Sequence, residues 1–226
     1  AENTLLGYGA MLGNAYGSQN VAIGYKAGAV TDPGFYTGAI ISRNIAIGDS
    51  ALRSNQASDN VGIGYRALSA NAGGTRHVAV GSRALLNTTA GYPNTAIGYS
   101  SQDSTTTGGA NTSLGSYALM SNKTGGNNTA IGNSAMMDAN NQAVLGYPFD
   151  NTAVGNDALR KNRYYGQVAV GSGALRNDTA GFYNTGVGYL SMYEHLKGWG
   201  NTAMGTSALR NDTSGYVNTA IGFNTL

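Results

Sequence analysis

Short apolar runs recur along the chain, and each of them ends in glycine. In runs such as "NVAIG", "HVAVG" and "NTAIG", a small residue stands between two larger aliphatic or threonine residues. Alternation with a period of two is typical of a β-strand that has one narrow and one bulky face. No segment keeps the 3.6-residue apolar period of a helix for three turns. The pattern therefore predicts an all-β chain.

The closing glycines reveal a repeat. Most of them stand 17 residues apart, two intervals are lengthened to 24 and 23 residues, and the thirteen positions are Gly7, Gly24, Gly48, Gly64, Gly81, Gly98, Gly115, Gly132, Gly155, Gly171, Gly188, Gly205 and Gly222. A 17-residue unit is too short for the helical hairpins of an α-solenoid. We therefore expect a parallel β-solenoid, a β-roll or β-helix, of about 13 coils, with residues 1–226 forming a single repeat domain.

Each coil is expected to contain two short strands. The first is the apolar run before the glycine, and the second is the "AL" pair that follows in "DSAL", "SRAL" and "NDAL". Glycine suits the sharp corner between them because it adopts positive φ without cost. A column of asparagines before the first strand, which includes Asn94, Asn128 and Asn201, predicts stacked amides or Asx turns. His77 replaces the asparagine of its coil and is interpreted as a turn residue.

The core of one such coil would be thin. Each coil offers about four side chains of the buried type, such as Thr95, Ala96 and Ile97 on one strand. We therefore expect lateral association into a homotrimer, with one apolar column inside each coil and another between subunits. The sequence leaves open which column faces which way.

Composition removes several classes of function. Only 11% of the residues are charged and the net charge is +2, without the clustered basic face of a nucleic-acid-binding protein. Zero cysteines exclude disulfides and thiolate metal sites. No apolar run approaches the length of a membrane-spanning helix, so membrane insertion is not expected. The start lacks a basic leader and an initiator methionine, and we interpret the chain as a fragment or processed piece.

The residues do not predict an enzyme. Asp49 and Ser50 in "GDS" are similar to an esterase motif, but they occupy columns of the repeat. His77 and His195 are far apart and lack nearby pairs of carboxylates, so we expect no metal and no cofactor. The only acidic column, Asp178 and Asp212, spans two coils, which is not the paired arrangement of a glycosidase.

Departures from the repeat are the candidate binding elements. They are the insertions near residues 25–43 and 133–150 and a rewritten coil at residues 189–200. Aromatic rings beside polar groups bind sugars or proteins at low entropic cost. The alternative is that these rings cover the rim of the solenoid or pack between subunits. The candidate receptor-binding residues are Phe35, Tyr36, Tyr147, Phe149, Tyr193, His195 and Trp199.

Four arginines follow an "AL" pair and form a broken basic stripe: Arg53, Arg160, Arg176 and Arg210. Asp178 and Asp212, two positions after the last two arginines, are expected to neutralise part of it. Such a stripe is either a solvated face that protects strand edges or a contact for the acidic groups of a surface polysaccharide.

Phrases that extend over essentially the whole chain resemble a known family. "NTAIGYSS", "NTAIGNSAM", "NTAVGNDALRKN" and "NTAMGTSALRNDTSGYVNTAIG" resemble the repeats of bacteriophage tail fibres and tailspikes. Those repeats are related to the left-handed β-roll heads of bacterial trimeric autotransporter adhesins, and turns of the "RNDTAGFY" type favour the phage group. The resemblance implies a trimeric, extracellular and non-enzymatic fibre that binds the host surface. In such fibres a self-cleaving chaperone domain often follows the repeats.

We therefore expect a receptor-binding segment of a virion tail fibre, whose partners are its own copies and a bacterial surface polysaccharide or outer-membrane protein. The alternatives are a structural shaft or spacer of a trimeric fibre and, on the bacterial cell surface, the head of a trimeric autotransporter adhesin. Ice binding would need a flat threonine array, but valine replaces threonine in several coils, as at Val78 and Val168.

Overall fold

A computed structural model describes residues 2–14, 16–30, 41–139 and 148–225. Two compact units make up the chain: unit 1 is Ala1–Ala110 and unit 2 is Asn111–Leu226. Within the described ranges every regular element is a strand of three residues. No helix of this part of the chain is long and apolar enough to cross a membrane. The single repeat domain over residues 1–226 stays a prediction.

Unit 1 is a ladder of parallel strands. Consecutive strands pair residue to residue, as Val61 with Val78 and Ile63 with Val80. Each residue of a strand therefore lies directly beside its equivalent in the neighbouring coil. The six strands are β1 (Thr4–Leu6), β2 (Val21–Ile23), β3 (Ile45–Ile47), β4 (Val61–Ile63), β5 (Val78–Val80) and β6 (Thr95–Ile97).

Unit 2 repeats this arrangement and adds a second sheet. Its main ladder contains β7 (Thr112–Leu114), β8 (Thr129–Ile131), β9 (Thr152–Val154), β10 (Val168–Val170), β12 (Thr185–Val187), β14 (Thr202–Met204) and β15 (Thr219–Ile221). A separate parallel pair joins β11 (Ala180–Phe182) to β13 (Lys197–Trp199). The prediction of an all-β, parallel β-solenoid with 17-residue spacing is confirmed, with one main strand per predicted coil and about 12 turns.

The interior is formed by the small residues and the leucines. Ala79 at the centre of β5 is 0% exposed, whereas Val78 and Val80 on either side of it are half-buried. Leu52, Leu68 and Leu85 from the "AL" pairs are also fully buried and pack with these alanines in the core of unit 1. Because alternate residues of a strand point to opposite faces, the bulky Val, Ile and Thr columns lie on the outside. The column of small residues therefore lies inside the coil, a point that the sequence left open.

The predicted second strand is wrong. In its place the "AL" pair lies in a tight turn, where Ser50 and Leu52 have φ of 56° and 51°. The same left-handed conformation recurs at Arg66 and Leu68 in the next coil. Left-handed backbone costs an L-residue about 1–2 kcal/mol. Burial of a leucine side chain contributes about 2 kcal/mol, which is enough to hold Leu52 in this conformation.

The closing glycines are required for two reasons. Gly64 has φ of 128°, and a Cβ atom there would lie 2.6 Å from the carbonyl oxygen of Gly81 in the next coil. A side chain would therefore strain its own backbone and also displace that of the neighbouring coil.

The predicted amide ladder is confirmed. In unit 1 the backbone N–H of Asn60 donates to Oδ1 of Asn44, and the N–H of Asn44 donates to Oδ1 of Asn20, both at 2.9 Å. His77 belongs to this ladder, since its N–H donates to Asn60 Oδ1 at 2.9 Å. In unit 2 the N–H of Asn201 donates to Asn184 Oδ1 at 3.0 Å. Each amide side chain thus satisfies a buried backbone donor of the next coil.

Candidate functional site

Three of the seven predicted receptor-binding residues lie outside the described residues: Phe35, Tyr36 and Tyr147. Both predicted insertions, near 25–43 and 133–150, fall partly in the same gaps. Phe149 is described and is 37% exposed. The remaining three residues belong to the rewritten coil 189–200, and the structure places them in three different environments.

Trp199 lies in a ladder of aromatic rings. It ends β13 and stands in register with Phe182 at the end of β11. The two rings stack with centroids 6.2 Å apart and planes 11° from parallel. Tyr165 continues the ladder on the Phe182 side at 5.8 Å, and Tyr216 continues it on the Trp199 side at 6.1 Å. Tyr183 packs edge-on against Tyr165 and Phe182. We call these five residues the aromatic surface.

The aromatic surface remains accessible. Tyr183 is 59% exposed, Tyr216 is 54% and Trp199 is 43%. Because Phe182 and Trp199 stack face to face, the ladder presents mainly ring edges and tyrosine side chains to its surroundings. Exposed aromatic groups that adjoin one another are typical of contact surfaces.

Sequence reasoning missed four members of this surface: Tyr165, Phe182, Tyr183 and Tyr216. The sequence does contain a signal for three of them. One column of the repeat, with a spacing of 17 residues, holds Tyr165, Phe182, the predicted Trp199 and Tyr216. The 17-residue period is enough to bring these rings together, because equivalent residues of neighbouring coils lie beside one another in the parallel ladder. Tyr183 adjoins this column.

Tyr193 lies in a column of arginines. Its ring is 5.7 Å from the guanidinium of Arg176 and 6.0 Å from that of Arg210. Nη1 of Arg176 also donates to the Tyr193 hydroxyl at 3.2 Å. The side chain is half-buried, and among the described residues no ring contact joins it to the aromatic surface. Tyr193 therefore stabilises the basic column.

His195 is not at the surface, since it is 0% exposed. Its Nδ1 lies 3.1 Å from Oδ2 of the equally buried Asp178, and its Nε2 lies 3.4 Å from Asn201 Nδ2. Asp178 in turn accepts the backbone N–H of Gly181 at 2.6 Å. Burial prevents His195 from touching a receptor while its coil is folded, and we leave it out of the proposed surface. Asp178 precedes His195 by one period of the repeat, so register pairing of the coils brings the two side chains together.

The basic stripe is neutralised differently from the prediction. Arg160 pairs with Asp138 at 3.0 Å and with Asp157 at 3.4 Å, and Arg176 pairs with Asp157 at 3.2 Å. Asp178 faces the interior instead. Arg53 and Arg210 form no ion pair with a described residue.

Asp49 and Ser50 of "GDS" lie in the turn that follows β3. The Ser50 hydroxyl donates to Asp49 Oδ1 at 2.6 Å, and Ser50 is 7% exposed. In the described part of the chain no three His, Asp or Glu residues are grouped so that they could hold a metal ion.

Comparison with known proteins adds no relative. No family model matches the chain, and no curated protein and no solved structure matches it. The resemblance to tail fibres therefore stays a prediction that rests on the repeat phrases.

Proposed function

We propose that this chain is a receptor-binding segment of a phage tail fibre, and that it binds a bacterial surface glycan or outer-membrane protein through the aromatic surface. The observation that carries the proposal is the ladder Tyr165, Phe182, Trp199 and Tyr216, with one ring in each of four successive coils. Each ring is held by its neighbours and by the regular coils beneath it. A ligand would therefore immobilise few additional rotamers on binding.

The chemistry of the surface suits a ligand that is both apolar and rich in hydroxyl groups. Tyr165, Tyr183 and Tyr216 combine an apolar ring with a hydroxyl that donates and accepts hydrogen bonds. Exposed Lys197 in β13 adds a positive charge on the strand that ends at Trp199. Sugars and protein surfaces both offer the matching combination of C–H and hydroxyl groups.

The proposal includes a homotrimer. All outward positions of the main strands carry Val, Ile, Leu, Met or Thr, with no charged residue among them. Several are well exposed in the single chain, including Leu114 at 47%, Met204 at 44% and Ile221 at 68%. Soluble monomers rarely expose apolar patches that continue over so many coils. We therefore assign this face to contacts between copies, and light scattering should give a mass near three times 23.1 kDa.

The binding test uses Trp199→Ala and Tyr216→Ala in the full chain. Fluorescently labelled protein is applied to a panel of Gram-negative bacteria and to an array of their purified surface polysaccharides. Both variants should lose most of the binding while keeping the mass and circular dichroism of the parent. The matched control is Tyr8→Ala, which removes another exposed tyrosine that stacks on a neighbour, Tyr25 at 5.8 Å. Undiminished binding by both variants would contradict the site.

A structural shaft or an adhesin head is the second candidate. It is favoured by the uninterrupted 17-residue spacing from Gly81 to Gly132. A shaft predicts that the parent chain forms the trimer and yet binds no cell or polysaccharide in the same panel. An adhesin head would instead belong on a bacterial surface, and its ligands would be host components rather than bacterial ones.

A further inference from the structure

A groove in unit 1 carries two arginines that form no ion pair with any described residue. It is lined by Ser50, Arg53, Ser54, Arg66 and Ser69, together with Ala70, and has a volume of about 390 Å³. The lining side chains come from the turns that follow β3 and β4. No acidic side chain lines the groove. Its volume lies within the range of small-ligand sites.

Equivalent positions in other coils form internal ion pairs. Arg66 is the second residue after a closing glycine and Arg53 is the fifth after another. At the same two positions, Arg83 pairs with Asp103 at 2.9 Å. Asp157 and Arg176 also occupy these positions and pair at 3.2 Å. In both pairs the second-position residue lies one coil before the fifth-position residue. The corresponding partner of Arg66 is Leu86, and that of Arg53 is Lys26. Neither is acidic, so both arginines lack the acid that neutralises the charge in the other coils.

A buried donor also points to a missing partner. Nε of Arg53 is buried and has no hydrogen-bond acceptor among the residues that the structure describes. A buried N–H without an acceptor carries a desolvation cost, and native structures seldom retain one. An oxygen atom that reaches Nε from the groove would remove this cost.

The charges near the groove leave a net positive site. Asp49 is exposed and accepts a hydrogen bond from the Ser50 hydroxyl at 2.6 Å. Among the described residues it makes no ion pair with Arg53 or Arg66. Ser50 and Ser69 are only 7% and 8% exposed, so their side chains are held in place beside the arginines. A net positive charge beside ordered serines suits a negatively charged ligand that also carries hydroxyl groups.

We propose that this groove binds the acidic group of a sugar, a carboxylate or a sulfate. Arg53 and Arg66 contact the acidic group, and the serine side chains contact the sugar hydroxyls. The guanidinium group suits this role because its planar set of donors matches two oxygens at once. The inference goes beyond the proposed function, because it uses none of the residues of the aromatic surface.

The test is a nuclear magnetic resonance titration of the ¹⁵N-labelled full chain with D-glucuronate, D-glucose and inorganic sulfate, each up to about 50 mM. D-glucuronate should shift the backbone amides of Ser54 and Arg66 and the Nε resonance of Arg53. D-glucose should leave them unchanged. Arg66→Gln, which changes an exposed side chain, should weaken the D-glucuronate Kd about tenfold, the equivalent of one charge-assisted hydrogen bond.

The matched control is Arg176→Gln, which removes an arginine that already pairs with Asp157. It should leave the titration unchanged. Equal shifts with D-glucose, no shift with D-glucuronate, or the same effect from Arg66→Gln and Arg176→Gln would overturn the proposal. If sulfate alone shifts the resonances, the groove is an anion site and the sugar part is wrong. The Trp199→Ala variant leaves the groove intact and should still bind D-glucuronate. A failure of the groove can therefore be distinguished from a failure of the aromatic surface.

Discussion

His77 accepts a hydrogen bond of 3.0 Å at Nδ1 from the backbone N–H of Asn94. A ring nitrogen that accepts carries no hydrogen, so in the neutral ring the hydrogen is on Nε2, which is buried without a partner. Burial lowers the pKa of His77 from 6.5 to about 4. Protonation of Nδ1 would place its N–H against the backbone N–H of Asn94, and the hydrogen bond between the two residues would be lost. The amide ladder of unit 1 therefore depends on a neutral imidazole at this position.

The first prediction concerns stability in acid. A histidine whose pKa is lower in the folded state takes up its proton first in the unfolded state. Stability should therefore be constant above pH 6.5 and should fall between pH 6.5 and about 4, where His77 titrates, by about 3 kcal/mol in total. Urea unfolding at a series of pH values measures this.

The comparison variant for this prediction is His77→Asn, because asparagine fills the same ladder position in neighbouring coils, as Asn60 does. Its Oδ1 atom should accept the Asn94 N–H and does not titrate. The variant should lose less stability than the parent over the same pH interval. Identical pH profiles for the two proteins would show that His77 is not the responsible group.

The second prediction concerns the amide ladder in unit 2. Asn128 is 1% exposed, donates to Pro148 O at 2.6 Å, and accepts the backbone N–H of Asn151 at 3.1 Å. Asn128→Ala should lower the free energy of unfolding by about 2–4 kcal/mol, since both partners remain buried without a bond. Asn156→Ala removes an exposed asparagine and should change it by less than about 0.5 kcal/mol. Chemical denaturation compares the two, and equal losses would contradict the ladder.

The third prediction concerns the closing glycines. Gly64→Ala should destabilise unit 1 by about 3 kcal/mol or more, because it combines an unfavourable φ with a clash against the next coil. Gly73 is the control, since a Cβ atom there meets nothing within 4 Å. Gly73→Ala should be neutral or slightly stabilising. Thermal unfolding should separate the two variants, and a tolerated Gly64→Ala would show that the coils can move apart.

The fourth prediction concerns the aromatic ladder. Trp199 is the only tryptophan of the chain, so its fluorescence reports on this surface alone. Phe182→Ala removes the ring that stacks on it, which should increase quenching of Trp199 by iodide and cost about 2 kcal/mol. Tyr8→Ala should leave the quenching unchanged, because Tyr8 stacks on Tyr25 in unit 1. Unchanged quenching in Phe182→Ala would mean that the two rings do not stack in solution.

The sequence predicted where the candidate site lies, but not the environment of each of its residues. The rewritten coil 189–200 stood out in the sequence, and Trp199 does lie on an exposed surface. Tyr193 and His195 come from the same phrase, yet one packs between arginines and the other is buried against Asp178. Neighbours in sequence diverge here because successive residues of a turn point in different directions. The arginines and the aspartate that these side chains contact lie 17 residues away in the sequence. The environment of each side chain therefore depends on which column of the repeat it occupies.

The sequence by itself determined the period, the position of the main strands, the closing glycines and the amide ladder. These features follow from local rules, namely alternation by two, the φ freedom of glycine and the hydrogen-bonding capacity of asparagine. Only the tertiary structure decided that Ala79 and Leu85 face inward and that the "AL" pair is a left-handed turn. It also showed that Nε of Arg53 is buried without a hydrogen-bond partner among the described residues. The direction in which a coil closes is set by packing against the coils before and after it, and that information is not contained in any single repeat.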